Sequence, residues 1–507
     1  MRSFLTIFFI ALIFSSGVFA QETTALVLDS QSKQAVPFAT VQYGPHSGVI
    51  TNEEGKFSIG SSLSDKDSLS ISSLGYFPYK LTVKDLKALK EQVIYIKPAN
   101  IELKDVFLTN KNLSGKQIVE RVKQRVNSNY NFDLSHKKIF YRESNVNNIR
   151  RFDLIVDKST FPEINQDLMT NISRKVPKMS DSYKEVLGDL YGNYASQKLQ
   201  VIKAANLHNP QSTAGLTELT DKLERILREN VKNNSFLKIK TGILGVKVDA
   251  KELEKEMKEE KKEVVKTDEQ KEKDKQQRLK YLQSSAQTNI QGLLKSVFWN
   301  EDISLDVFEK QNKYNFEVEG YTQMDNSIVY IIAFKPKRGA NFQGKMYVNT
   351  ADFGVHRLDY QNLKPLKKFR LLGISTASDV YRGKMIFTRA ENGKYDISYL
   401  EREKGESFGI DRPLTIIEKN KFVAGRRKQN ELDMEIKINA GQVTKHQLVV
   451  YETQQVDEAQ YKARKTSEPF EYKTFKLYNP DFWSGYNIIE PNAAIRAFTA
   501  AEEEKVF

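Results

Sequence analysis

The 507 residues include no cysteine. That absence excludes disulfides, thiolate chemistry and attachment of a lipid through a lipobox cysteine. Histidine is scarce: His46, His136, His208, His356 and His446 lie far apart and form no HExxH or HxxE spacing. A zinc peptidase is not indicated, because its ligands must converge and are usually announced by paired histidines. No Walker loop or dinucleotide glycine motif supports a nucleotide cofactor. Beyond the first twenty residues no apolar run approaches the roughly 20 needed to span a bilayer. No catalytic, cofactor-binding or metal-binding residue is assigned, and the expectation is that the chain is not an enzyme.

What is present begins with an address. Arg2 gives a positive start, Phe4 to Phe14 is apolar except at Thr6, and Val18-Phe19-Ala20 is a small-residue cleavage site before Gln21. Residues 1–20 therefore predict a secretory signal peptide, and the mature chain is expected to be soluble or peripherally bound. The formal net charge is +13. Lysines and acids are interspersed almost everywhere, which describes a solvated surface rather than a nucleic-acid groove. Export also argues against nucleic acid. Mild attraction to anionic head groups or acidic polysaccharide is the expected consequence.

Residues 21–108 read as short strands separated by turns, the texture of a β-sandwich. Ala25 to Leu28 is a first strand closed at Asp29 to Ser32. Phe38 to Tyr43 is a second, ending at Gly44-Pro45. Gly48 to Thr51 and Lys56 to Ile59 flank Asn52-Glu53-Glu54-Gly55, where Gly55 is expected at positive φ. Ser68 to Ser73 alternates before Gly75-Tyr76, and Gln92 to Ile96 supplies a further strand.

Three strings in this region, Pro37-Phe38-Ala39-Thr40-Val41, Thr51 to Phe57 and Gly75-Tyr76, together carry a resemblance. They resemble the carboxypeptidase regulatory-like domain, a transthyretin-type sandwich common at the amino terminus of exported Bacteroidetes proteins. The glycine usual in the first strand of that family is absent. The resemblance implies an accessory module without catalytic residues, often placed before an outer-membrane barrel or beside a zinc peptidase. Neither companion is evident here. Gly55 and Gly75 are accordingly expected to be turn glycines, and Phe57 and Tyr76 core aromatics.

Residues 109–300 predict a mixed α/β middle. Ile118, Val119, Val122 and Val126 share one side of a helix over Leu113 to Asn129, capped by Ser114. Ile139 to Glu143 and Phe152 to Val156 read as separate strands. The string Phe140-Tyr141-Arg142-Glu143 is similar to one in multidomain envelope proteins that carry the same module, and assigns no activity. Leu216, Leu219, Leu223, Ile226, Leu227 and Val231 form an amphipathic stripe entered at Ser212-Thr213 and left at Asn233-Asn234. A charged helical insertion spans 248–281, and Ile290, Leu293, Leu294, Val297 and Phe298 restore apolar periodicity behind it. A lasting coiled coil is not expected in the insertion, since Asp268 and Lys271 would occupy its seam.

Residues 301–507 predict an antiparallel sheet with a tail. Strands are expected at Tyr314 to Glu319, Ile328 to Phe334, Lys345 to Val348, Val355 to Tyr360, Gly383 to Thr388 and Tyr395 to Tyr399. FQGKMYV at Phe342 and YRGKMIF at Tyr381 echo each other. Two copies are too few for a propeller or solenoid, so the echo reflects shared strand geometry. The order of strands over Phe342 to Tyr360 resembles in topology the half-barrel of periplasmic lipoprotein carriers, implying an alternative role in lipid or acyl binding. The aromatic string Asn479 to Asn487 is expected to anchor the terminus onto the sheet, with a sugar-binding surface as the alternative.

Gly405-Glu406-Ser407-Phe408-Gly409 formally matches GxSxG, with Asp411 and His446 later in the chain. A serine hydrolase needs that serine on a strand-to-helix elbow, and Pro413 with the β pattern after it opposes the helix. The expected fold class is multidomain α+β. The expected role is binding or assembly with other envelope proteins, in the periplasm, at the periplasmic face of the outer membrane, or outside the cell. Lipid carriage, polysaccharide binding and hydrolysis follow as alternatives.

Overall fold

The computed structural model describes residues 23–44, 47–60, 63–99, 113–209, 214–252, 255, 268–300, 303–324, 327–390, 392–425, 427–466, 470–484, 486 and 488–499. The predicted signal peptide, Ser212-Thr213 and much of the charged insertion lie outside the described residues. The chain forms two compact units.

The first unit contains residues 1–100, Gln323–Asp325 and Asn479–Asn492. Its strands are β1 (Thr23–Asp29), β2 (Thr40–Gly44), β3 (Ser47–Ile50), β4 (Lys56–Ile59), β5 (Ser68–Ser72), β6 (Tyr79–Thr82) and, after helix α1 (Val83–Ala88), β7 (Val93–Ile96). They make a three-stranded sheet, β4-β1-β7, and a four-stranded sheet, β3-β2-β5-β6. Val27, Val41, Phe57, Ile59, Leu69, Ile71 and Ile94 are buried core residues.

The recognisable string performs this fold's local work. Thr51 Oγ1 donates to the Val36 carbonyl at 2.9 Å and accepts from Ala39 N at 2.8 Å. Asn52 Oδ1 accepts from the amides of Glu54 and Lys56, both at 2.9 Å, closing the hairpin. Gly55 has φ +77°, and a Cβ there would stand 2.7 Å from the Val27 carbonyl oxygen. Gly55→Val is therefore expected to cost more than about 1 kcal/mol, from strain at positive φ and this clash, read as a lower urea midpoint.

Tyr76 departs from expectation. It is half-exposed, and its hydroxyl donates to Asp29 Oδ2 at 2.9 Å. Burial and that carboxylate push its pKa up to about 12. The aromatic string near the terminus also departs: Asn479–Asn492 belongs to this unit rather than to the large sheet. Trp483 is buried, and Asn52 Nδ2 donates to the Pro491 carbonyl at 3.3 Å.

The second unit is built on a 14-stranded sheet. Its elements are α2 (Gly115–Asn129), β8 (Ser135–Ser159), α3 (Gln166–Lys175), β9 (Met179–Gly192), β10 (Gln197–His208), α4 (Ala214–Asn230), β11 (Ser235–Thr241), β12 (Leu244–Asp249) and α5 (Asp268–Leu294). Then come β13 (Tyr314–Met324), β14 (Ser327–Pro336), β15 (Phe342–Asn349), β16 (Val355–Asn362), β17 (Lys367–Leu371), β18 (Ile374–Arg389), β19 (Tyr395–Asn420) and β20 (Lys428–Gln455). Helix α6 (Glu458–Ala463), β21 (Lys473–Phe475) and α7 (Ala493–Arg496) complete it. The main path runs β13-β14-β15-β16-β18-β19-β20-β8-β9-β10-β21.

The change of texture at 300/301 does not separate compact units. Strands from 135–208 and from 314–455 alternate in one sheet because β8 pairs with β20 along nearly its whole length. The two strands expected at 139–143 and 152–156 are likewise one strand of 25 residues, about 80 Å if fully extended.

Two helical covers explain where the apolar residues fall. Helix α2 starts at the predicted Ser114, which forms a capping box with Gln117. Its Ile118, Val119, Val122 and Val126 join Ala286, Ile290, Leu293 and Leu294 of α5 against one end of the sheet. Gly115 permits the approach, since a Cβ would meet the Phe316 carbonyl at 2.8 Å. At the other end Leu168, Met169 and Ile172 of α3 and Ile226 of α4 cover Leu154, Leu432 and Met434.

Candidate functional site

The register places residue rows on opposite faces of the sheet. One row consists of Ile332, Met346, Leu358, Met385, Leu400, Leu448, Tyr141, Val186 and Ala204. All are buried, and this face carries α2 and α5. The next residue on each strand points the other way. That second row reads Ala333, Lys345, Asp359, Lys384, Glu401, Gln447, Arg142, Glu185 and Ala205. Its charges alternate from Lys345 to Glu401 and resume at Arg142 and Glu185.

Side-chain exposure falls along the charged row from 50% at Lys345 through 30% at Asp359 and 13% at Glu401 to 0% at Glu185. The buried end is an ion pair: Arg142 donates from Nε and Nη2 to Glu185 Oε1, each at 2.7 Å. The accessible end borders a cavity of about 420 Å³, lined by Gln343, Lys345, Arg357, Asp359, Arg382 and Lys384 among others. Lys345 pairs with Glu319 at 2.7 Å, which raises its pKa, and Arg382 pairs with Glu403 at 2.7 Å. Asp359 accepts from Arg357 Nε at 2.8 Å, while its other oxygen lies 3.9 Å from Lys384 Nζ. Mixed charge on a rigid sheet can present a complementary docking pattern to another protein.

The sequence echo builds this cavity. β15 and β18 flank β16 in matched register, with Gly344 and Gly383 on either side of Tyr360, and Lys345 and Lys384 on either side of Asp359. Gly383 makes room for the buried Tyr360 ring, since a Cβ would stand 2.5 Å from its hydroxyl. Phe342, Tyr360 and Tyr381 pack with ring centroids 5.9 to 6.3 Å apart.

The FYRE string crosses both faces. Phe140 and Arg142 lie on the charged side, the guanidinium 5.2 Å from the ring centroid. Tyr141 and Glu143 face α5. There Tyr141 Oη is 2.6 Å from His446 Nδ1, and Asn289 Nδ2 donates to Glu143 Oε2 at 2.8 Å. Arg402 Nη1 donates to the Gly292 carbonyl at 2.7 Å, tying the helix to the sheet. Burial first, then Arg402, holds the His446 pKa down to about 4. Burial does the same to His356, also about 4.

Both histidines sit below their ordinary 6.5, so the unfolded chain takes up protons first as pH falls. The stability present above that value is lost progressively toward pH 4. The urea midpoint is expected to fall between about pH 7 and pH 5, and His356→Leu to flatten that slope.

The serine string is laid out on a strand. Ser407 lies within β19, opposite Ala377 and Gly441, rather than on an elbow before a helix. His446 pairs with Arg402, five residues up β19, which places it about 16 Å from Ser407 along the strand and on the opposite face. Asp411 is on the Ser407 face but four residues away. Ser407→Ala is expected to leave the reading of a general esterase assay unchanged; a loss of measurable turnover would contradict this. Among the described residues, no group of three or more His, Cys, Asp or Glu side chains is placed to hold a metal ion.

The smaller unit is, by its two sheets, a β-sandwich. Its sequence matches the model of the CarboxypepD_reg-like domain over residues 26–108, and that segment is such a domain. A search of the curated proteins finds no match. The match stops before the large sheet, so the charged row and the cavity lie outside it.

Proposed function

We propose that this is a non-enzymatic, exported protein of the cell envelope that works by binding or assembly, with other envelope proteins docking at the exposed end of the charged row. The observation that carries the reading is the gradient along that row. Its buried half is enclosed within the sheet, and its accessible half presents alternating charge around a cavity of about 420 Å³. The amino-terminal domain is of a type found in envelope proteins, and no helix among the described residues is long and apolar enough to cross a membrane.

Lipid carriage would require an open apolar face. The apolar row instead meets α2 and α5, which favours docking over carriage.

Lysine-directed cross-linking in the intact envelope, followed by mass spectrometry, tests the proposal. Links from Lys335, Lys345 or Lys384 to other proteins are expected. Recovery of intrachain links alone would contradict it.

A further inference from the structure

Far from the charged cavity, two hairpin turns of the large unit meet at one buried arginine. The β11–β12 turn is Gly242-Ile243, and the β17–β18 turn is Leu372-Gly373. On β19, β18 pairing ends at Ile410 and β11 pairing begins at Thr415. Arg412 occupies the gap. Its Nη1 donates to the Leu372 carbonyl at 2.6 Å and its Nη2 to the Thr241 carbonyl. One guanidinium thus holds both turns side by side.

What the turns present is unusual for a solvated surface. Ile243 is 85% exposed, and Leu244, Val246, Phe369, Leu371 and Leu372 are each at least half exposed. Burial of even part of this aliphatic surface is favourable, and contiguous exposed apolar patches mark interaction sites. Around them the paired ends of the hairpins, residues 235–249 and 367–378, carry Lys238, Lys240, Lys247, Lys367, Lys368 and Arg370, against one acid, Asp249, which is paired with Lys421. Beside β17, a cavity of about 850 Å³ is lined by Lys367, Lys368, Phe369, Glu406 and Phe408 among others.

We infer that the paired hairpin tips are a peripheral docking site for an anionic phospholipid bilayer. The aliphatic side chains enter the boundary between head groups and acyl chains, and the surrounding lysines and arginine meet the lipid phosphates. Apolar tips ringed by basic residues match that surface in both layers. A membrane satisfies them without the specific acidic partners that a protein would have to supply. The inference goes beyond the proposed function, because it concerns a different surface and stands whether or not proteins dock at the charged cavity.

The test uses the full mature chain. Because the sequence has no cysteine, Ile243→Cys gives a single site for an environment-sensitive dye. The labelled protein is expected to sediment with phosphatidylcholine vesicles containing about 30 mol% phosphatidylglycerol, with a blue-shifted dye, and not with pure phosphatidylcholine. Added salt should release it. Ile243→Asp with Leu372→Asp should reduce binding about tenfold or more, as should Lys367→Glu with Lys368→Glu. These positions are exposed, so melting temperatures should stay at the parent value. Failure of the parent to bind, equal binding to both vesicles, or binding unaffected by these substitutions would each overturn the inference. If the parent ignores both vesicles while Ile243→Asp with Leu372→Asp abolishes a protein cross-link in the envelope, the tips belong to a protein partner and the inference fails.

Discussion

Glu185→Ala is expected to destabilise the large unit by about 3–5 kcal/mol, because it leaves the Arg142 guanidinium buried without the carboxylate that faces it. The two side chains are 2% and 0% exposed, so water cannot readily take the place of the lost partner. A buried pair is nevertheless weak evidence of net stabilisation, since desolvating both ions offsets much of their attraction. The informative comparison is Arg142→Met with Glu185→Leu. That double substitution is expected to recover most of the loss, because two apolar side chains suit a buried site next to Phe140 and Leu187. If it is as damaging as Glu185→Ala alone, the pair does more than fill the interior, and its charge serves the platform directly. Thermal melting monitored in the large unit supplies the readout.

Leu400→Asp carries the second large effect. Leu400 lies between Met385 and Leu448 on the face covered by α2 and α5. Placing a carboxylate there is expected to cost more than about 4 kcal/mol. Its chain neighbour Glu401 points to the opposite face, where it accepts from Tyr399 Oη at 2.7 Å and from Gln447 Nε2 at 3.3 Å. Glu401→Gln keeps the shape and is expected to cost only about 1 kcal/mol. Adjacent positions with such different sensitivities are what a two-faced sheet requires. Comparable effects at both would mean that the register is shifted.

The parts legible in the sequence were those fixed by local geometry. Asn52 and Gly55 close a hairpin through bonds spanning two to four residues, and Thr51 ties that hairpin to the preceding segment at Val36, so their spacing announced the sandwich. Ser114 and its apolar stripe announced α2 for the same reason. The polar middle of β8 was not readable as strand. Residues 144–151 lie between the two helical covers, so no buried face imposes apolar alternation on them. Gly405 and Gly409, with Gly441 opposite Ser407, belong to the same uncovered waist, and there Gly405 and Gly409 mimicked a catalytic motif.

The candidate site was harder still. Lys345, Asp359, Lys384, Glu401, Arg142 and Glu185 are one by one of residue types ordinary on any surface, and become a row only through the register of seven strands. The repeated Gly-Lys-Met was the available signal, since matched motifs on strands flanking a third put like residues in line. FYRE was a second signal. Its alternating residues serve both faces, which explains why an amphiphilic string sits at the centre of a sheet. Tyr76 misled because an aromatic after a turn glycine can bond a carboxylate as readily as fill a core.

Site-specific photo-cross-linking in the intact envelope tests the docking face most directly. A photoreactive residue at Gln343, beside the cavity, is expected to form discrete adducts with other proteins, while one at the exposed Tyr281 on α5 is not. Lys335→Glu with Lys345→Glu should abolish the adducts with little change in stability, because both lysines line the cavity from its accessible side and exposed ion pairs contribute at most about 1 kcal/mol. No adduct at position 343, or adducts that survive the charge reversal, would contradict the assignment of this face to partner docking.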